Sequence, residues 1–514
     1  MVDRRMERHA PPPPSASADP EVPRRVAVVG GGIAGLTAAT GLVERGIDVE
    51  LIEREHYLGG RVGAWPEQLP DGTPVTMSRG FHAFFRQYYN LRGLLRRTDP
   101  HLDRLVGVDD YPLIDAFGRR DTFEGLPQRP PWNAIAFALR SPTFDWRDLL
   151  RLNAKAALPL ARVEVPGTYD LLDDVDAASF LASINFPPAA RHLAFEVFSR
   201  SFFARPEDLS AAELAVMFHL YFLGSSEGLL FDVPNDTFEA ALWGPLATYL
   251  TDAGARLSLG TSIAAIEPGG DRRYRLHESS GAYRDVDAVV LATDLRGLQK
   301  LVAWSPGLGT PDWRDRIAAL RSAPPFLVHR LWLDQPVATD RPAFLGTGGW
   351  GALDNVSVLN RYEREARAWA DRHGGAVVEL HAYAAEMGSA ADSDALAKEL
   401  EGLLHKVYPE TQTATVVGTL SQWRDDCPLF SPGSFRDRPT VQTPDPQLVL
   451  AGDGIRIDLP VALMERAATT GWHAANLLLS RFGRRGHDLC TVPTTARIRA
   501  LRLLKPSRDK EYER

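Results

Sequence analysis

The sequence has few cysteines, no excess of positive charge and no long apolar run, and each shortage excludes a class of protein. Its 514 residues include only Cys427 and Cys490, too few for a disulfide framework and typical of a reducing compartment. The formal net charge of -8 argues against a general nucleic-acid binder. No stretch reaches about 18 consecutive apolar residues, so no transmembrane helix is expected. A globular protein of two or three packed domains remains.

The clearest pattern begins with the apolar run at 26–29, which predicts a buried parallel strand. Gly30 allows a tight turn, Gly32 allows the backbone to approach a pyrophosphate, and Gly35 allows a helix to pack against the strand. The helix N-terminus then faces the phosphates. A second strand ends in Glu53, which is placed to accept hydrogen bonds from a ribose hydroxyl. This β-α-β unit predicts a dinucleotide site.

The next residues distinguish a flavin from a nicotinamide. Gly59 and Gly60 allow the chain to return to the pyrophosphate, and Arg61 can neutralise it. Glu53, where a basic residue would be needed, argues against a 2′-phosphate. This extension resembles the flavoproteins of the amine oxidase and carotenoid desaturase superfamily. The resemblance implies FAD as the cofactor.

The segment at 78–90 carries a second resemblance. Its Gly-x-His-x-Phe-Phe-x-x-Tyr-x-Asn pattern, beginning at Gly80, resembles the plant- and cyanobacterial-type carotenoid desaturases, in which this segment lies against the flavin. Gly80 would allow the backbone to approach the isoalloxazine ring. His82 is then a candidate for the flavin site or the active site, and a purely structural histidine is the alternative.

Two later segments complete the expected flavin site. In the superfamily that this chain resembles, a strand near Ile263 clasps the adenine, and an Ala-Gly-Asp motif ends a strand at Asp453, which accepts a hydrogen bond from a ribityl hydroxyl. The helix beginning near residue 460 can stabilise negative charge at the flavin pyrimidine. The expected cofactor-binding residues are Gly30, Gly32, Ala34, Gly35, Glu53, Arg54, Gly60, Arg61, Arg79, Gly80, Ile263, Gly452, Asp453, Leu463 and Met464. No metal site is expected.

These signals predict a two-lobed α/β flavoprotein with a doubly wound, Rossmann-type domain, a mixed-sheet substrate domain and a helical lid. The predicted segments are a disordered tail (1–23), three parts of the FAD-binding domain (24–90, 235–300 and 441–480), a helical substrate and membrane-facing region (91–234), the substrate sheet (301–440) and a basic tail (481–514). Arg24-Arg25 precedes the first strand and not a signal peptide, so a cytoplasmic location is expected.

Two segments could contact a membrane. Residues 132–155 combine apolar and aromatic positions with arginines, which suits either an interfacial helix or an ordinary packed helix. Residues 496–505 form a basic amphipathic stretch that could touch anionic lipid or remain a flexible end. Aromatic helices at 193–203 and 216–223 suit a long apolar substrate tunnel, although each could be plain core.

Four segments together resemble the actinobacterial isorenieratene synthases, which are β-carotene desaturase/methyltransferases. They are residues 59–61, 79–90, 195–203 and 222–228. Arg86 departs from the wider desaturase group, where many relatives have glycine. The resemblance implies hydride removal from a β-ring, an internal methyl shift and proton loss to an aromatic ring, with no S-adenosylmethionine. The implied partners are a long apolar carotenoid, a membrane surface and an electron acceptor, oxygen or quinone.

This chemistry needs a proton acceptor and aromatic faces for a diffuse cation. His82 and Glu465 are the candidate acceptors, with Glu196 third, and Glu465 could instead cap or position a helix. The candidate aromatic residues are Phe81, Phe84, Phe85 and Tyr88. Three other functions remain open: a desaturase or isomerase of a linear carotene, an amine oxidase, and a flavin- or carotenoid-binding protein without turnover.

Overall fold

The computed structural model describes residues 3–16, 19, 22–144, 146–187, 202–385 and 390–496. The strands in this part of the chain are β1 (Glu7–His9), β2 (Arg25–Val29), β3 (Asp48–Ile52), β4 (Ala64–Gln68), β5 (Pro74–Ser78), β6 (Phe84–Phe85), β7 (Leu105–Gly107), β8 (Leu113–Asp115), β9 (Arg120–Asp121), β10 (Phe231–Pro234), β11 (Arg256–Ser258), β12 (Ile263–Pro268), β13 (Tyr274–Glu278), β14 (Tyr283–Val286), β15 (Ala288–Leu291), β16 (Phe326–Leu333), β17 (Phe344–Gly348), β18 (Asn355–Val358), β19 (Ala376–Ala382), β20 (Val416–Arg424), β21 (Leu448–Leu450) and β22 (Leu489–Thr491).

The helices of the same described ranges are α1 (Ile33–Val43), α2 (Tyr89–Leu95), α3 (Trp132–Arg140), α4 (Trp146–Arg151), α5 (Leu158–Ala161), α6 (Gly167–Leu172), α7 (Ala177–Ser183), α8 (Ala211–Phe218), α9 (Gly244–Asp252), α10 (Leu295–Ala303), α11 (Pro311–Ala318), α12 (Arg364–His373), α13 (Ala390–Val407) and α14 (Leu463–Arg481). None of these helices is long and apolar enough to cross a membrane.

A five-stranded parallel sheet forms one lobe, with the order β11-β3-β2-β15-β21. Its central strands are continuous runs of buried aliphatic side chains, as expected for a sheet covered on both faces. Helices α1 and α14 pack closely through small residues, since a Cβ on Gly471 would lie 2.3 Å from the carbonyl oxygen of Ala34. The doubly wound lobe expected from the sequence is confirmed, and the ends of β2, β15 and β21 converge at one edge.

The second lobe contains a seven-stranded mixed sheet with the order β20-β16-β19-β18-β17-β8-β9. The pairing of β17 with β8 is parallel and the others are antiparallel. Strands β16 and β19, both expected from their β-branched and aromatic content, lie between β20 and β18 and are buried along their whole length. The expected mixed-sheet lobe is therefore present.

The helical region at 91–234 contains more strand than the sequence predicted. Strands β8 and β9 extend the large mixed sheet, and β10 pairs with β6 and β7 in a separate three-stranded sheet. These strands have only two to four residues, too few for an alternating pattern to stand out in the sequence. Helices α3 and α5 to α8 pack around a common apolar cluster that includes Phe180 and Leu214.

The expectation of a disordered tail at 1–23 is wrong for its described part. Strand β1 pairs antiparallel with β22, and the carboxylate of Glu7 accepts hydrogen bonds from the backbone N–H (2.9 Å) and hydroxyl (3.0 Å) of Thr494. The hydroxyl of Ser480 donates to the carbonyl of Pro13 at 2.6 Å. The polar, proline-rich composition concealed a segment that is held by backbone pairing to the other end of the chain. The aromatic stretch at 193–201, with Glu196, and the basic stretch at 497–505 lie outside the described residues.

Candidate active site

The turn between β2 and α1 contains one glycine that faces open space. Gly30 has φ +110°, and its N–H donates to the carbonyl of Ile52 at 2.8 Å. A Cβ on Gly35 would lie 1.9 Å from the Gly30 carbonyl oxygen, so protein packing requires this glycine. A Cβ on Gly32 would meet nothing closer than the Cα of Gly60 at 3.8 Å. The turn therefore leaves a concavity at the N-terminus of α1, where unpaired N–H groups suit a phosphate.

Glu53 is held at the end of β3, beside this turn. Its carboxylate accepts hydrogen bonds from the backbone N–H groups of Gly31 (2.6 Å) and Glu55 (2.9 Å). The Glu53 carbonyl accepts from the N–H of Thr261 at 2.9 Å, which brings the start of β12, at Ile263, close to the same place. Glu53 and Ile263 thus lie together near the nucleotide turn. Their contacts with ribose and adenine stay predictions.

Arg54 points into a surface ion-pair network. Its guanidinium lies 3.2 Å from the carboxylates of both Glu55 and Asp294, and more than half of its side chain is exposed. The neighbouring residue Ala34 is buried in the first turn of α1. The cofactor-binding roles expected for Arg54 and Ala34 stay predictions.

Arg61 and Asp453 form an ion pair between opposite ends of the chain. Gly59 and Gly60 have φ of +95° and +58°, and the Gly59 N–H donates to the Gly31 carbonyl at 2.9 Å, so this turn lies against the first one. Although burial lowers it, the pKa of Arg61 is raised well above its ordinary value, chiefly by Asp453. The residues expected at the pyrophosphate and at the ribityl chain are therefore brought into contact.

The N-terminus of α14 begins with a strained residue. Leu463 has φ +53°, a left-handed conformation that is costly for a residue with a bulky side chain. Gly452 is held nearby, because its N–H donates to the hydroxyl of Thr470 at 2.9 Å. Leu463 and Met464 are partly buried and stand at the positive end of a 19-residue helix. Strain of this kind clusters at ligand sites.

The loop after β5 carries Arg79, Gly80 and His82. Both oxygens of Asp426 accept from Arg79, at 2.8 and 2.7 Å. Gly80 has φ +91°, and a Cβ there would lie 2.6 Å from the ring of His381. The close approach that requires glycine is therefore an approach to a protein side chain. Contact of Arg79 and Gly80 with the cofactor stays a prediction.

His82 is a neutral imidazole with one nitrogen committed. Its Nδ1 lies 2.8 Å from the Gly80 carbonyl, which can only accept, so Nδ1 carries the hydrogen and Nε2 keeps its lone pair. The ring packs edge-on against Phe238, with centroids 5.6 Å apart. Burial lowers the pKa of His82 to about 4. His82 is thus a base available at any pH above this value.

A buried network that the sequence analysis missed holds this loop. The Glu379 carboxylate accepts from the Phe81 N–H at 2.8 Å, from Arg330 at 2.7 Å and from the ring of His381 at 2.8 Å. Burial raises the pKa of Glu379, but Arg330 and His381 outweigh it and lower the value to about 2. His381 also contacts the hydroxyl of Tyr383 at 2.6 Å. This network could have been predicted in part from the sequence, because Arg330 and Glu379 are charged residues within the largely apolar strands β16 and β19.

Glu465 caps a helix. Its carboxylate accepts from the backbone N–H groups of Asn90 (2.8 Å) and Leu91 (2.9 Å) and from the Asn90 amide (2.8 Å), at the start of α2. Burial raises the pKa of Glu465 to about 8, against the opposing effect of these bonds. The geometry supports the positioning role that was the alternative expectation for Glu465, and its role as proton acceptor stays untested.

A file of aromatic rings runs from the loop of His82 to helix α3. Neighbouring centroids are 4.4 to 5.9 Å apart, and the members are Phe81, Phe231, Tyr111, Phe123 and Phe137, with Phe344 beside Phe81. Arg86 lies beside this file and pairs with Asp232 at 2.9 Å. The outer face of α3 is exposed: Trp132, Ile135 and Leu139 have 61%, 43% and 72% of their surface accessible. A continuous row of packed aromatic rings thus connects α3 with the loop.

The convergent residues fit a flavin dinucleotide. The open concavity at Gly32, the carboxylate of Glu53 and the pair of Arg61 with Asp453 lie around one edge of the parallel sheet. At the end of β15, the Thr293 hydroxyl is buried and has no hydrogen-bond partner among the described residues. A ligand along this edge would meet N–H donors, an acceptor for ribose and a cation for phosphate.

Comparison with known proteins identifies relatives along nearly the whole chain. Residues 33–479 match the family of flavin containing amine oxidoreductases. A carotenoid phi-ring synthase of Streptomyces griseus is 58% identical over 94% of this chain and 93% of its own length. The carotenoid phi-ring synthase of Chlorobaculum tepidum is 26% identical over 92% of this chain and 91% of its own. A zeta-carotene desaturase of Zea mays is 26% identical over 61% of this chain and 55% of its own.

Solved structures of low sequence identity share the fold. A putrescine oxidase bound to putrescine superposes with a TM-score of 0.64 at 16% identity, covering 90% of this chain and 100% of its own. A cyclohexylamine oxidase from Brevibacterium oxydans gives 0.61 at 16% identity, covering 89% and 99%. The two-lobed arrangement of parallel and mixed sheets is therefore that of flavin-dependent amine oxidases.

Proposed function

The chain belongs to the flavin-containing amine oxidoreductase family and, within it, to the carotenoid phi-ring synthases, and we propose that it converts β-carotene into the aromatic carotenoid isorenieratene with FAD as cofactor. The observation that carries this proposal is the 58% identity with the Streptomyces griseus phi-ring synthase, which extends over nearly all of both chains. Zeta-carotene desaturases are more distant, at 26% identity for the enzyme of Zea mays and 23% for the probable enzyme of Synechococcus elongatus.

The residues that would hold FAD lie at the edge of the parallel sheet. The N-terminus of α1 and Arg61 would bind the pyrophosphate, Glu53 the ribose and Asp453 the ribityl chain. The N-terminus of α14 would face the flavin pyrimidine and favour negative charge there. When bound, FAD supplies the acceptor for the hydrides that the substrate loses.

The protein must also remove protons. Aromatising one β-ring takes away two hydrides and two protons and moves one methyl group to the neighbouring ring carbon, so every carbon is retained. We assign His82 Nε2 as the proton acceptor, because its lone pair is free while Nδ1 donates to Gly80. Each C–H bond that breaks to His82 leaves its electron pair in a ring double bond.

The aromatic file supports a cation at the ring. Phe81 lies next to His82, and its ring centroid is 4.4 Å from that of Phe344, so aromatic rings lie beside the proposed acceptor. Aromatic faces attract cations most strongly where water is excluded. The cation that hydride loss leaves is delocalised into the polyene, and this surface suits such diffuse charge.

We propose that α3 inserts its outer face into a membrane, from which the carotenoid enters. Trp132, Ile135 and Leu139 are exposed on one side of this helix, and Leu150 on α4 is 76% exposed. Arg140 ends α3 and is exposed, as expected near anionic headgroups. The carotenoid would then pass along the aromatic file from Phe137 to Phe81 to reach the active site. The reaction also needs a terminal electron acceptor, for which oxygen and quinone are the candidates.

The deciding experiment supplies β-carotene to cells that express this protein and measures product mass and the ultraviolet-visible spectrum. A loss of four hydrogens per ring with every carbon retained is the expected result. A His82→Ala variant in parallel controls for host enzymes. Unchanged β-carotene together with conversion of phytoene or ζ-carotene would replace the proposal by a linear-carotene desaturase or isomerase. Binding of FAD and carotenoid without any product would indicate a binding protein.

A further inference from the structure

A partly open cavity lies beside His82 and Phe81. It offers about 20 Å³ to the centre of a water molecule. Its walls combine apolar residues such as Phe81, Phe238 and Leu359 with the polar side chains of His82, Ser78, Arg330, Glu379, Asp236 and Glu363. One water needs about 10–15 Å³ of such space, so the cavity has room for water beside its polar walls. The cavity therefore brings His82 and Glu363 to one space that can hold water.

Glu363 lies at the outer end of this cavity, just before α12. Its next neighbour, Arg364, is 64% exposed and pairs with Asp236 of the cavity wall at 3.0 Å. This ion pair marks the rim where the cavity meets solvent. Glu363 is thus placed between a buried base and bulk water.

We propose that this cavity carries the protons of the reaction to solvent, with His82 as the inner acceptor and Glu363 as the outer one. The inference rests on the proposed function, because it begins with a proton on His82 Nε2. That proton passes to a cavity water, the water passes another of its protons to the Glu363 carboxylate, and Glu363 then releases it at the rim. No electrons are transferred, and each site returns to its starting state.

The charges around His82 and Glu363 favour proton transfer from His82 to Glu363. Burial raises the pKa of Glu363 to about 7, with Arg330 lowering it and Glu365, Glu379 and Asp236 raising it. For His82, burial, His381 and Arg61 lower the pKa, while the Gly80 carbonyl and Glu379 raise it. A proton on His82 is therefore more acidic than one on Glu363, and transfer toward the rim is downhill.

The test compares Glu363→Gln with wild type over the pH range 5–9, each as the FAD-loaded protein. Glu363 accepts protons only when ionised, so the wild-type rate of product formation should rise with pH through about 7. Glu363→Gln should lose this rise and be slower by about 10²-fold at the plateau, the lower end of general-base contributions. Glu363→Asp, which retains a carboxyl, should partly restore both the rise with pH and the plateau rate. Asp371→Asn, an exposed change on α12, is the matched control and should behave as wild type.

A second measurement does not depend on turnover. Infrared difference spectra between pH 5 and 9 should show a carboxylic-acid band that titrates near 7 in wild type and in Asp371→Asn, and that Glu363→Gln lacks. An unchanged pH profile in Glu363→Gln, or a Glu363 carboxyl that stays ionised throughout, would overturn the proton path. If wild type converts another carotenoid but not β-carotene, the proposed function fails, and the same variants test the path with that substrate.

Discussion

Glu379 is the single side chain on which the position of the His82 loop depends most directly. It joins the backbone of Phe81 to Arg330 and His381, and its side chain is fully buried. Removing one member of a buried ion pair leaves the other charge uncompensated, which costs about 3–5 kcal/mol.

We therefore expect Glu379→Gln to lower the free energy of unfolding by roughly 3 kcal/mol, measured by urea denaturation at pH 7. The folded pKa of Glu379 is lowered from 4.5 to about 2, so its contribution is complete above pH 4.5 and is lost as the pH falls toward 2. The difference between wild type and Glu379→Gln should shrink over that window. Glu399→Gln, an exposed change on α13, serves as control. A constant difference down to pH 2 would contradict the assignment.

A change at His82 should separate chemistry from binding. We expect His82→Ala to retain FAD and to slow single-turnover substrate oxidation by roughly 10² to 10⁴-fold, the usual contribution of a general base. Flavin absorbance of the purified protein reports binding, and rapid-mixing spectroscopy reports the rate. An unchanged rate would remove His82 from the mechanism.

These residues differ in how far the sequence reveals them. His82 belongs to a contiguous motif, so its place beside the expected flavin could be predicted. Glu379 accepts a hydrogen bond from Phe81, which is 298 residues away in the sequence. No pattern within strand β19 identifies Phe81 as its partner. The ion pair of Arg61 with Asp453 was likewise invisible, although each residue was identified singly. Pairing between distant segments is decided by the sheet, which a motif does not specify.

At the scale of elements, Gly32 in the turn between β2 and α1 and Gly35 in the first turn of α1 are glycine for different reasons. Gly35 is required by protein packing, since a Cβ there would strike the Gly30 carbonyl. Gly32 faces open space and has an ordinary φ of −74°. The sequence predicted this element well because a β-α-β unit is encoded within about 30 consecutive residues.

We expect Gly32→Val to fold normally and to lose FAD, because the new side chain fills the concavity at the N-terminus of α1. Gly35→Ala should instead lower thermal stability, since its methyl group has no room. Thermal denaturation without added FAD and flavin content after purification together measure the contrast. Full flavin content in Gly32→Val would refute the placement of the pyrophosphate.

At the scale of the whole molecule, α3 has an exposed apolar face and contributes Phe137, on its buried side, to the aromatic file. We expect the double change of Trp132 and Leu139 to Ser to weaken binding to vesicles with anionic lipid at least tenfold, because burying each apolar side chain contributes about 1.5–3 kcal/mol. Sedimentation with vesicles measures the binding. Trp304→Ser, at an exposed tryptophan on the end of α10, is the matched control. Equal binding of the double variant and wild type would exclude α3 as the contact.

The order of the parallel sheet has a consequence for how the protein is made. Strand β2 begins at residue 25, its neighbour β15 at residue 288, and β21, which completes that side, at residue 448. A ribosome must therefore release almost the entire polypeptide before the ion pair of Arg61 with Asp453 can close. We therefore expect FAD to be bound only after most of the chain has been made, and a chain truncated before Gly452 to retain no flavin.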